Sequence, residues 1–239
     1  MQKVLILLIL MAVMFSSCKQ SEQSKPDQEP EKVETSPANP IQLSSVDVQP
    51  GVPIEAQVHT TYSYLDENEK GIIILNGYPK GGGEIEPGGI RGYNDHRGIH
   101  YGSAIYWSCF INQTDSPMEL SATFPSDSFL VPNKTDAFYK LFLPSDTLEV
   151  ERISLYNYGI EGLKTFLDEN FDQGSSIQRN IAPGDSCYIY INSLMHMPNS
   201  RHGGIRSGFF LKGEELHYRF TINPEGKMEF ACGSLVAME

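Results

Sequence analysis

Between residues 77 and 102 the chain brings together Glu84, Glu86, Tyr93, Asp95, His96 and His100 with nine of its 21 glycines. Carboxylates beside two imidazoles are the donor types of a divalent metal site or an acid/base pair. The spacing argues against both. His96 and His100 stand four apart, which puts two rings on one side only of a helix, and so many glycines forbid a helix there. The segment also lacks the Gly-Lys-Ser/Thr ending and the strand-to-helix setting of a phosphate-cradling loop. It reads as a long Gly-rich loop, largely solvated, with Tyr93, Asp95, His96 and His100 as the residues placed to touch a ligand. A metal-assisted hydrolase built on this loop is the alternative.

Met195, His196, Met197 and His202 form a second cluster. Thioethers beside imidazoles suit copper, but methionines at a strand end before a Pro-Asn-Ser turn are read first as core packing. Cys109, Cys187 and Cys232 fall inside expected strands. An odd count leaves one thiol unpaired, and small buried hydrophobes are the favoured reading over a disulfide. Neither Gly-x-Ser-x-Gly nor HExxH occurs, so no catalytic residue, metal or cofactor is assigned.

What must position these groups begins with an address. Lys3 precedes twelve apolar residues, 4–15, and then Ser16, Ser17 and Cys18. Twelve helical residues span about 18 Å, short of the ~30 Å of a bilayer core, so residues 1–17 read as a signal peptide. The small residues ending in cysteine resemble a bacterial lipoprotein signal, which implies cleavage before Cys18 and acylation of its thiol, palmitate included. Two or more acyl chains anchor a protein stably, which makes the lipid bilayer a partner. Residues 18–44 (CKQSEQSKPDQEPEKVETSPANPIQLS) hold four prolines and almost no apolar side chain before Ile41, the composition of an extended, disordered tether. The expected place is the cell envelope, lipid-anchored, on the outer membrane.

With 30 acidic against 18 basic residues the net charge is -12, nearly all of that excess lying beyond the tether. Nucleic acid is excluded as a partner, because such affinity comes from clustered Lys and Arg. Residues 45–239 read as one domain. Alternation at residues 58–64 and 105–111, the buried run Ile72-Ile73-Ile74-Leu75 and a C-terminal meander through 207–211, 216–222 and 228–236 predict strands. The fold class is all-β, an immunoglobulin-like antiparallel sandwich. Ile160, Leu163, Phe166, Leu167 and Phe171 add one short amphipathic helix, expected across one end of it.

The blocks at 112–120 (NQTDSPMEL), 124–129 (FPSDSF), 141–147 (LFLPSDT), 156–159 (YNYG), 166–168 (FLD) and 232–233 (CG), with Tyr106-Trp107, resemble an uncharacterised lipoprotein family of the Bacteroidota over roughly residues 70 to 235. The resemblance implies envelope placement and no activity. A non-catalytic role, binding an envelope protein or a glycan or serving a structural purpose, is the functional expectation.

Overall fold

A computed structural model describes residues 54–81, 83–85, 89, 91–198, 205–223 and 226–238. The signal segment, Cys18, the tether, Glu86 and His202 lie outside the described residues.

The chain runs through β1 (Val58–Leu65), β2 (Gly71–Gly77), β3 (Lys80–Gly81), β4 (Tyr93–Asn94), β5 (His100–Asn112), β6 (Met118–Phe124), β7 (Phe129–Leu130) and β8 (Phe138–Phe142). After α1 (Leu163–Asn170) come β9 (Ser175–Ile181), β10 (Ser186–His196), β11 (Ile205–Lys212), β12 (Glu215–Ile222) and β13 (Gly226–Ala237). All strand pairs are antiparallel. An eight-stranded sheet has the order β1-β2-β5-β10-β8-β7 with β3 and β4 also on β5; a five-stranded sheet has the order β11-β12-β13-β6-β9. The all-β sandwich is as the alternation predicts. An immunoglobulin-like domain has seven to nine strands in a set order, and sheets of eight and five support only the coarser description.

Two cores share the larger sheet. Ile72, Ile74, Phe110 and Ile191 face the smaller sheet, where Leu120, Phe124, Phe209 and Tyr218 meet them. Their sequence neighbours Ile73, Leu75, Trp107, Cys109 and Tyr190 point the other way into a second core, closed by Ile153, Tyr158, Leu163, Leu167 and Phe171. A strand buried on both sides needs no polar face, which is why β2 is a continuous apolar run. The molecule therefore has three layers, and the helix lies on the outer face of the larger sheet, not across an end of the sandwich. Leu163 and Leu167 dock it there; burying each contributes about 1.5–3 kcal/mol, which an eight-residue helix needs because it is too short to stand alone. It also starts later than the apolar spacing predicts. Gly162, at φ 63°, is left-handed, and the helix begins after it.

The open edge of β11 is closed by side chains from the larger sheet. Asn76 on β2 donates through Nδ2 to Phe209 O (3.0 Å) and accepts at Oδ1 from Phe209 N (2.9 Å) and from Ser108 Oγ (2.7 Å). On either side His59 Nε2 donates to Ser207 O (3.1 Å), and Leu211 N donates to Tyr64 Oη (2.7 Å). An unpaired strand edge invites other chains; here the Ser207 carbonyl, both backbone groups of Phe209 and the Leu211 N–H, on alternate residues of β11, are already satisfied.

Candidate functional site

Among the described residues, the Gly-rich segment is only in part a solvated loop. β2, β3 and β4 pair in turn along β5, holding residues 72–76, 80–81 and 93–94 to it. Close approach accounts for several of its glycines: a Cβ on Gly77 would lie 2.1 Å from the Trp107 indole nitrogen, and one on Gly81 2.3 Å from Ser103 O, whereas Gly98 has open space around it.

Of the four residues expected to touch a ligand, Tyr93 and Asp95 are buried and held by their neighbours, and His96 and His100 are exposed. Tyr93 is buried, its ring stacked on Phe171 at 5.6 Å, and burial together with the Asp168 carboxylate pushes its hydroxyl well above the usual range. Asp95 is buried at a tight turn, accepting the N–H groups of Arg97 (2.9 Å) and Ile99 (2.8 Å) while Arg97 Nε and Nη2 reach its other oxygen at 3.1 Å. Burial alone would push that carboxyl up; the amides of Ile99 and Arg97 and the guanidinium outweigh it and hold it low. His96 is exposed with Nδ1 3.6 Å from Asp172, and His100 is exposed with Nδ1 2.8 Å from Asn94 Oδ1. Among the described residues no three His, Cys, Asp or Glu side chains gather as metal ligands. The hub of this region is Phe171. Lys140, buried on β8, donates to its carbonyl and lies 4.1 Å over its ring, and Tyr101 packs edge-on at 5.5 Å.

Met195 is buried in the inter-sheet core with Met197 against it, and His196 donates to His100 O at 2.7 Å. Cys109, Cys187 and Cys232 are all free thiols. Cys109 sits in the outer core and Cys232 between the sheets, and burial pushes the Cys109 thiol up to about 12.

A cleft of about 770 Å³ opens instead where residues 83–85 and Arg91 meet the segment 156–165. Its floor is a strained turn. Asn157 (φ 48°, ψ 29°) and Tyr158 (φ 57°, ψ 25°) are consecutive left-handed residues, neither of them glycine. Each such residue costs about 1–3 kcal/mol and persists only when its surroundings over-determine it. Here they do. The Tyr158 ring is fully buried, its hydroxyl donates to Tyr78 O, and its carbonyl accepts from Tyr190 Oη at 2.8 Å. Lys80 lies 4.2 Å over the same ring and donates to the carbonyls of Ile153 (2.6 Å) and Leu155 (2.7 Å), tying down the chain just before the turn. Across the cleft Glu84 O accepts from Tyr156 Oη at 3.2 Å and from Asn157 Nδ2 at 3.3 Å. Gly83 makes room, since a Cβ there would lie 1.8 Å from the Tyr156 hydroxyl.

Three features give the cleft its chemistry. Asn157 is only 7% exposed, and its Oδ1 is buried with no hydrogen-bond partner among the described residues. The first turn of α1 lines one wall, and its start at Gly162 carries no side-chain cap. Glu84, Arg91, Glu161 and Lys164 supply both signs of charge, and Tyr156 stands at the rim 65% exposed beside Leu155 at 50%. Such a volume, with apolar walls and a few convergent polar groups, suits a small ligand or a chain end. The sequence held a partial signal for it. Asn157, Gly159 and Gly162 within six residues are the types that tolerate left-handed backbone, and they mark a turn where the apolar spacing alone suggests a helix.

Comparison with known protein families, with curated proteins and with solved structures finds no match for this chain.

Proposed function

We propose that this chain is a cell-envelope lipoprotein, tethered to the membrane through acylated Cys18, whose sandwich has a non-catalytic binding role exercised through the cleft between residues 83–85 with Arg91 and residues 156–165. The observation that carries the binding role is the cleft itself, about 770 Å³, floored by strained backbone and lined by Ile85 and Ile160 with Glu84, Arg91 and Glu161. The anchor is supported by the short apolar segment, the small residues and Cys18, followed by a tether that cannot bury a core.

The test is metabolic labelling with an alkynyl palmitate, followed by membrane fractionation. Wild-type chain takes up label and fractionates with the envelope, while Cys18→Ser does neither. An unlabelled wild-type protein, or one recovered from the cytosol, overturns the anchor. Turnover of esters, glycosides or peptides that disappears in Asp95→Ala overturns the non-catalytic role.

A further inference from the structure

Resting on that reading of the cleft, we infer that its ligand is a neutral oligosaccharide, one sugar ring stacked on Tyr156 and its hydroxyls bonded to the charged lining. The platform is built before any ligand arrives. Tyr156 lines the cleft and is 65% exposed, yet its hydroxyl donates to Glu84 O at 3.2 Å and rests where Gly83 lacks a Cβ. Directly after it the chain takes two left-handed steps, at Asn157 and Tyr158, and Tyr158 is fully buried while Tyr156 stays at the surface. Strained backbone of this kind is found where a side chain must be held in place for a ligand. A ring fixed at its hydroxyl end has little freedom left to lose on binding, so little ordering entropy opposes the contact. Its exposed face is flat and apolar, and its negative π cloud attracts the weakly positive C–H groups on one side of a sugar ring.

The lining supplies the other half. Glu84 and Glu161 stand against Arg91 and Lys164, two of each sign, so the cleft has no charge bias to select an anion or a cation. A wholly apolar ligand would strip water from these groups and give them no partner in return. A sugar hydroxyl donates to a carboxylate and accepts from a guanidinium or ammonium, so a neutral polyhydroxyl ligand partners both kinds. A cleft of about 770 Å³ encloses a drug-sized molecule, which is more than one sugar ring and makes the ligand an oligosaccharide.

The test is a printed array of neutral and acidic oligosaccharides probed with the full-length chain in detergent, with calorimetry on those retained. Neutral oligosaccharides bind, and their affinity changes by less than about twofold between low and high salt. Tyr156→Ala lowers that affinity roughly tenfold or more without lowering Tm, while Tyr156→Phe, which keeps the ring, stays within about threefold. Glu161→Ala, also at an exposed position, weakens binding as well. No binding by any neutral oligosaccharide, or retention of acidic ones alone, overturns the saccharide assignment. A peptide array run alongside then decides the cleft: the cleft reading stands where a bound peptide is lost in Tyr156→Ala, and falls where no peptide binds. Tyr156→Phe as weak as Tyr156→Ala overturns the stacking. Saccharide binding that survives both Tyr156→Ala and Glu161→Ala places the ligand elsewhere and overturns the cleft reading itself.

Discussion

The carboxamide of Asn76 stands where a neighbouring strand would stand, exchanging two hydrogen bonds with the backbone N–H and C=O of Phe209 across the gap between the sheets. Replacing it with leucine leaves both groups of Phe209 buried and unpaired, at about 1–3 kcal/mol each. Asn76→Leu therefore lowers unfolding stability by about 2–5 kcal/mol, read from the urea midpoint at constant m-value. Gly208 is packed against the same amide, where a Cβ would lie 2.2 Å from Asn76 Cγ. Gly208→Ala is destabilising by itself and much less so beside Asn76→Ala, a coupling that a double-mutant cycle measures.

His59 makes the β11 edge sensitive to pH. The ring is neutral, with Nε2 donating to Ser207 O and Nδ1 2.8 Å from Thr60 Oγ1. Burial lowers its pKa to about 4; the Arg206 charge adds to this, and the Ser207 carbonyl opposes it. The unfolded chain takes up its proton near 6.5 and the folded chain only near 4. Stability is thus fully present above pH 6.5, falls as pH drops toward 4, and loses no more below it. At roughly 1.4 kcal/mol per unit the loss reaches about 3 kcal/mol. Urea midpoints at pH 7 and pH 4 show it, and His59→Gln removes that part of the pH dependence.

Asn157 pays in backbone strain for its place in the cleft. Glycine adopts φ near +48° without that cost, so Asn157→Gly keeps or raises Tm, a gain of up to about 1 kcal/mol, while Asn157→Val lowers it. Thermal denaturation of the two variants checks the sign. A stable glycine variant with weakened ligand binding would separate the turn's function from its folding.

The buried thiols are inert. Cys109 and Cys232 are both held in apolar surroundings that disfavour the thiolate, so neither reacts with maleimide in the native state and both label on unfolding in urea. Mass spectrometry of the labelled peptides counts them. Native labelling of Cys109 would mean that the outer layer opens.

Alternation and apolar runs were enough to read β1, β2, β5, β10 and the meander β11-β12-β13, because a period of two is written directly into residues such as Leu216, Tyr218, Phe220 and Ile222. The two-residue strands β3 and β4 are too short to carry a period, and their pairing with β5 is set by glycines that let backbones approach. Tyr93, Asp95, His96 and His100 drew notice by their types, yet local spacing cannot say whether a carboxylate faces a ligand or its own turn. Asp95 faces its own turn. The cleft was not legible, because it joins residues 83–85 and Arg91 to residues 156–165, some seventy positions apart. Only the left-handed residue types at 157, 159 and 162 hinted at it.

The cleft belongs to the outermost of the three layers, separated from the inter-sheet core by the whole thickness of the larger sheet. Its exposed rim is therefore free to vary while Tyr158 and Leu163, which close the second core, are not. Exchanges at Tyr156 or Glu161 leave both buried seams intact, so the lining can change without the scaffold.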